Sequence, residues 1–132
     1  MNKLLPLTLL STLSLALAHT EVTSITPDAK TAVAAPKNVL LQFSEPIELR
    51  FSTFRVMAVP TGKTPADAAR MALTLKADAP ELANAPFTAS NTAARLSLPL
   101  KAGLKSGTYV VAWKILSDDG HPVTGQSVFR VK

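Results

Sequence analysis

No cysteine occurs anywhere in the sequence. That excludes a disulfide framework and every thiolate metal site, so a metal here must be held by nitrogen, oxygen or thioether ligands. It also leaves no cysteine side chain for a lipid anchor. Histidine is almost as scarce, with His19 and His121 the two in the chain. Once both are assigned to another role, no base remains to activate a serine nucleophile, so triad chemistry drops out. No glycine-rich loop cradles a phosphate. The formal net charge is +5, yet no run of lysine or arginine interleaves with aromatics. A solvated basic surface is the reading, not a nucleic-acid interface. No internal repeat or low-complexity tract stands out.

What is present begins with residues 1–18. A short basic start at Lys3 precedes a mostly apolar, uncharged stretch that ends in Ala16-Leu17-Ala18. This is the pattern of a secretory signal peptide, and the stretch is short for a membrane span. Cleavage after Ala18 removes Lys3, lowers the net charge from +5 to +4, and leaves a domain of residues 19–132. That length suits one domain able to bury its own core. Cleavage also gives His19 a free α-amine, and an N-terminal histidine offers amine and imidazole nitrogens as a ready chelate.

The remainder reads as short strands separated by turns. Candidate strands are Val22–Thr26, 38–43, 51–59, 70–76, 94–98, Gly107–Leu116 and 127–131. Alternation puts Val39, Leu41 and Phe43 on one face, and Tyr109, Val111, Trp113 and Ile115 on another. It also groups Met71 with Leu73 and Leu75, and Ala94 with Leu96 and Leu98. Seven such strands argue an all-β Greek-key sandwich or barrel, immunoglobulin-like. Residues 65–73 are Ala-rich and have a second reading, a helical turn with Pro65 near its start. Trp113, Phe43, Phe54 and Phe129 read as core, and Met57 and Met71 as core filler.

The chemistry concentrates in Ser117-Asp118-Asp119-Gly120-His121-Pro122. Residues i and i+2 of an extended segment project to one side, so Asp119 and His121 could face one ligand. This segment joins two core strands. If the first strand packs beside them, His19 arrives at the same end. The candidate ligands are then the α-amine, the imidazoles of His19 and His121, and the Asp119 carboxylate. Three nitrogens and one oxygen in a plane suit Cu(II), whereas Zn(II) would want them tetrahedral. An Asp-rich turn before proline also stands without any metal.

The sequence resembles the CopC family of periplasmic copper-binding proteins over essentially residues 19–132. The likeness runs through His19, Ser24-Ile25-Thr26-Pro27 and Val39-Leu40-Leu41-Gln42-Phe43-Ser44-Glu45-Pro46-Ile47. It continues through Gly107-Thr108-Tyr109-Val110-Val111-Ala112-Trp113 and Ser117 to Gly125, and ends at Phe129. The resemblance implies a Greek-key β-barrel of immunoglobulin-like topology and a Cu(II) site made by His19, Asp119 and His121. It sets Glu45 near that site without touching the metal. The implied role is a periplasmic carrier or buffer, not an enzyme, that passes copper to a membrane transporter of the CopD kind or to a cuproenzyme. Some members carry a second, Cu(I) site in a methionine-rich loop with a histidine. Here only Met57 and Met71 remain after the signal, which implies a Cu(II)-only type. Two other functions stay open. One is a histidine-brace copper monooxygenase, disfavoured because Asp119 would fill an equatorial position and no aromatic platform is evident. The other is a metal-free immunoglobulin-like module.

Overall fold

A computed structural model describes residues 20–117 and 120–132. Among them are six strands: β1 (Val22–Thr26), β2 (Asn38–Glu48), β3 (Thr53–Ala58), β4 (Thr92–Pro99), β5 (Gly107–Leu116) and β6 (Pro122–Val131). A 3-10 turn at Leu49–Phe51 joins β2 to β3, and one helix, α1 (Pro65–Thr74), follows β3. The strands form two antiparallel three-stranded sheets, ordered β1-β2-β4 and β3-β5-β6, that pack as a sandwich. The expected all-β sandwich is therefore what the chain adopts, with six strands in place of seven.

Strand alternation builds the core. Val39, Leu41, Phe43 and Ile47 of β2 point inward and are at most 6% exposed. They meet Phe54 and Val56 of β3, Tyr109, Val111 and Ile115 of β5, and Phe129 of β6. The Phe43 and Phe54 rings tilt against each other at 5.8 Å, and Tyr109 stacks on Phe129 at 5.3 Å. Both are favourable aromatic geometries. The intervening residues of β5, Val110 and Ala112, are also buried, because α1 covers the outer face of that sheet. A strand covered on both faces reads as an unbroken apolar run, as β5 does.

Residues 70–74 of the segment expected as a strand at 70–76 are instead the end of α1, in line with the second, helical reading of residues 65–73. Thr64 caps the helix: its Oγ1 accepts from Asp67 N–H at 3.1 Å, and Asp67 Oδ2 accepts from Thr64 N–H at 3.2 Å. Pro65 occupies the first turn, where no N–H is missed. The buried face consists of Ala68, Ala69 and Ala72, small enough to bring the helix close to Met57, Val110 and Ala112. Met71 consequently faces outward at 43% exposure and is not core filler, whereas Met57 is buried.

Three smaller expectations also change. Phe51 lies in the 3-10 turn, exposed, so β3 begins two residues later. Ala94 is exposed while Ala93 packs on the core, since the β2–β4 register shifts between Gln42 and Ile47. The last strand begins at Pro122, so Pro122 to Gly125 belong to β6.

The topology decides what meets at the ends. β1 is antiparallel to β2, with Val22 opposite Phe43, and the residues before it bond to Ser44 and Glu45, so the chain enters β1 beside the second half of β2. The 3-10 turn carries the chain from there into β3, whose Thr53 pairs with Lys114 near the finish of β5. The β5–β6 hairpin then closes with Leu116 opposite Pro122. The entry to β1 and the β5–β6 loop thus share one end of the sandwich.

Candidate metal site

The residues before β1 are held by the irregular part of β2. Ser44 has no partner in the regular β2–β4 register. Its N–H donates to the Glu21 carbonyl at 2.8 Å, and its hydroxyl accepts from Glu21 N–H at 2.9 Å. Pro46, which has no N–H to offer a ladder, sits in this interrupted stretch. Next to it the Thr20 hydroxyl donates to Glu45 Oε1 at 2.6 Å, and Thr20 is 1% exposed. Glu45 falls on the inward parity of β2, between Phe43 and Ile47, and is half-buried. A carboxylate there needs a donor, and Thr20 supplies one.

The β5–β6 loop is pinned from its first residue. Ser117 is 5% exposed. Both its backbone N–H and its hydroxyl donate to the His121 carbonyl at 3.0 Å. Gly120 N–H donates back to the Ser117 carbonyl at 2.9 Å. Gly120 has φ +80, with nothing near the place a Cβ would take, so the turn requires glycine for its backbone angle and not for room. His121 itself is exposed, opposite Ser117 where the loop enters β6.

Of the three expected ligands, His121 is described, and His19 and Asp119 lie outside the described residues. Among the described residues no three histidine, cysteine, aspartate or glutamate side chains come together as a metal site. Glu45 bonds to Thr20, next in sequence to His19, at the end of the sandwich where the His121 loop also sits. Glu48 shares this end. It pairs with Arg50 at 3.3 Å and accepts from the Thr92 hydroxyl at 3.1 Å.

Behind the loop, Trp113 lies across Gly125, its register partner. A Cβ on Gly125 would fall 2.6 Å from three indole atoms. The indole thus occupies the space a side chain would fill, and it packs partly buried on the core beside β1 and β6 residues. Ser117 belongs to the stretch singled out from sequence, whereas Thr20 and the Trp113–Gly125 contact were not recognised there as parts of this end. The inward parity of Glu45 was the one available signal, a carboxylate in the core-facing phase of an alternating strand.

A family model described as the CopC domain matches residues 22–132. Copper resistance protein C of Escherichia coli is 32% identical over 117 residues, covering 89% of this chain and 84% of that protein. Protein YobA of Escherichia coli strain K12 is 34% identical over 116 residues, covering 87% and 80%. Among solved structures, PcoC, a methionine-rich copper resistance protein from Escherichia coli, matches with TM-score 0.59 at 32% identity. That match covers 87% of this chain and 100% of the other. CopC from Methylosinus trichosporium OB3b matches with TM-score 0.52 at 30% identity, covering 86% and 94%. A family model that spans nearly all the described residues, with relatives this similar over most of their own length, settles the relationship: this chain belongs to the CopC domain family.

Proposed function

We propose that the protein is an exported copper carrier or buffer acting in copper resistance or homeostasis. Residues 1–18 are its signal peptide, and residues 19–132 the mature domain in the periplasm. Cu(II) is its cargo, held by the α-amine and imidazole of His19, the His121 imidazole and the Asp119 carboxylate. That donor set fits Cu(II), which prefers nitrogen and oxygen ligands in a tetragonal plane. Asp119 would fill one equatorial position, leaving the metal suited to storage and transfer rather than to oxygen chemistry. A membrane transporter or a cuproenzyme would receive the ion.

The observation that carries this reading is the shared end of the sandwich. Thr20, clamped to Glu45, and His121, in the β5–β6 loop, are held by opposite sheets yet lie at one end. The copper resistance proteins among the relatives support the choice of metal. Thioether ligation has less support in this chain than in a relative described as methionine-rich. Met57 is buried beneath α1, and Met71 stands exposed on the helix. No helix among the described residues is long and apolar enough to cross a membrane.

Mass spectrometry of the exported protein, alone and with one equivalent of Cu(II), tests the reading. A chain that begins at His19 and retains one copper ion under native conditions agrees with it. A different N-terminus, or no retained copper, contradicts it.

A further inference from the structure

The end of the sandwich away from the candidate metal site gathers cations. β1 and β6 finish there, and β2 and β5 begin there. The connection from β1 to β2 brings in Lys30 and Lys37. Leu100 N–H donates to the Lys37 carbonyl at 2.9 Å, which sets Lys37 beside Lys101. Two adjoining clefts share Lys101, Ala102 and Gly103, and Lys37 lines one while Lys105 lines the other. Arg130 donates to the Lys30 carbonyl at 3.3 Å, tying the finish of β6 to the same group. Lys30, Lys37, Lys105 and Arg130 are exposed. Two carboxylates stand among them: Asp28, which accepts from Lys30 N–H at 2.9 Å, and Glu81, which lines one cleft.

The opposite end carries Glu21, Glu45 and Glu48 together with Arg50 and Lys114, so charges of both signs meet there. Strands of about ten residues separate the two ends by roughly 30 Å. Salt at physiological strength screens charges beyond about 8 Å. The glutamates therefore do not cancel the positive field at the lysine end, and a surface that meets this end sees an excess of positive charge.

We propose that this lysine end docks the protein on an anionic lipid surface, with the candidate metal end turned away from the membrane. The cations come from several connections at a blunt end, with Lys30 and Arg130 lying outside the two clefts, which fits a broad surface of headgroups. They are mostly lysines, compact charges without the fixed fork that arginine uses for one defined oxyanion. Tyr109, the aromatic nearest these residues, is buried, so none stands ready to stack on a base. The proposal is independent of which metal the other end binds.

The test is sedimentation of the exported protein with vesicles of phosphatidylcholine, with and without phosphatidylglycerol, at low and raised salt. Two triple variants are compared, both checked by circular dichroism and melting. One removes Lys30, Lys37 and Lys105 (each to Gln). The other removes the same charge elsewhere, from Lys76, Arg95 and Lys114 (each to Gln), all exposed. The expected result is binding to phosphatidylglycerol vesicles that salt abolishes. The first triple should weaken it about a hundredfold and the second should largely retain it. Equal binding to phosphatidylcholine alone, or equal loss in both triples, would overturn the proposal. So would binding to a heparin fragment with none to the vesicles, which would make the partner a soluble polyanion.

Discussion

The Thr20 hydroxyl donates to Glu45 Oε1 across 2.6 Å, and both residues sit where the first strand enters the sandwich. This bond fixes the chain one residue after His19. Thr20→Val keeps the shape of the side chain and removes the donor, leaving a half-buried carboxylate without it. The expected cost is about 1–2 kcal/mol in denaturant unfolding, together with weaker Cu(II) binding in competitive titration. Unchanged copper affinity in a destabilised Thr20→Val would reduce the bond to a structural role.

Gly125 and Trp113 make a second test. A methyl group at Gly125 would meet the indole at 2.6 Å, so the ring must move. Gly125→Ala should lose about 1–3 kcal/mol of stability through overpacking. It should also shift the fluorescence of Trp113, the one tryptophan of the chain. A variant with wild-type stability and spectrum would show that the indole has room to spare.

The cap of α1 gives a pH dependence. The Asp67 carboxyl is held below its usual 3.8, first by the Thr64 hydroxyl and then by the Thr64 N–H, with Arg70 adding a charge contribution. A depressed folded-state value means that the stabilisation is present above the unfolded-state value. It is lost as pH falls through the folded one. Asp67→Asn should therefore be less stable than wild type at neutral pH, with the difference closing in acid below the usual carboxylate range. A gap that stays constant down to strong acid would assign the cap's effect to shape and not to charge.

Much of this fold was legible where alternation is regular. β1 and β5 have the expected bounds, and Val39, Leu41, Phe43, Val111 and Phe129 are buried as alternation requires. Trp113 joins that core partly buried. The helix was only the second reading of its segment because Met71, Leu73 and Leu75 alternate like a strand. The deciding residues were elsewhere, in the cap of Thr64 and Asp67 and in the alanines that let α1 lie close to β5. At the candidate site, the phase of Val39, Leu41 and Phe43 runs on to Ile47 and places Glu45 facing inward. The break in β2–β4 pairing was not legible, because a register shift depends on what the partner strand and the entering chain offer. The Thr20 bond depends on that break, so it became visible only in three dimensions.

The proposed two-ended copper site is tested most directly by electron paramagnetic resonance of the Cu(II)-loaded protein that begins at His19. Wild type is compared with His121→Ala and with a variant carrying one extra residue before His19. Three nitrogen ligands are expected in wild type. His121→Ala should lose one nitrogen and bind markedly more weakly, because copper prefers imidazole to the water that would replace it. The extended variant should lose the amine chelate. If His121→Ala keeps the wild-type nitrogen count and affinity, copper is held by the N-terminal chelate alone, and the site that joins the two ends of the chain does not exist.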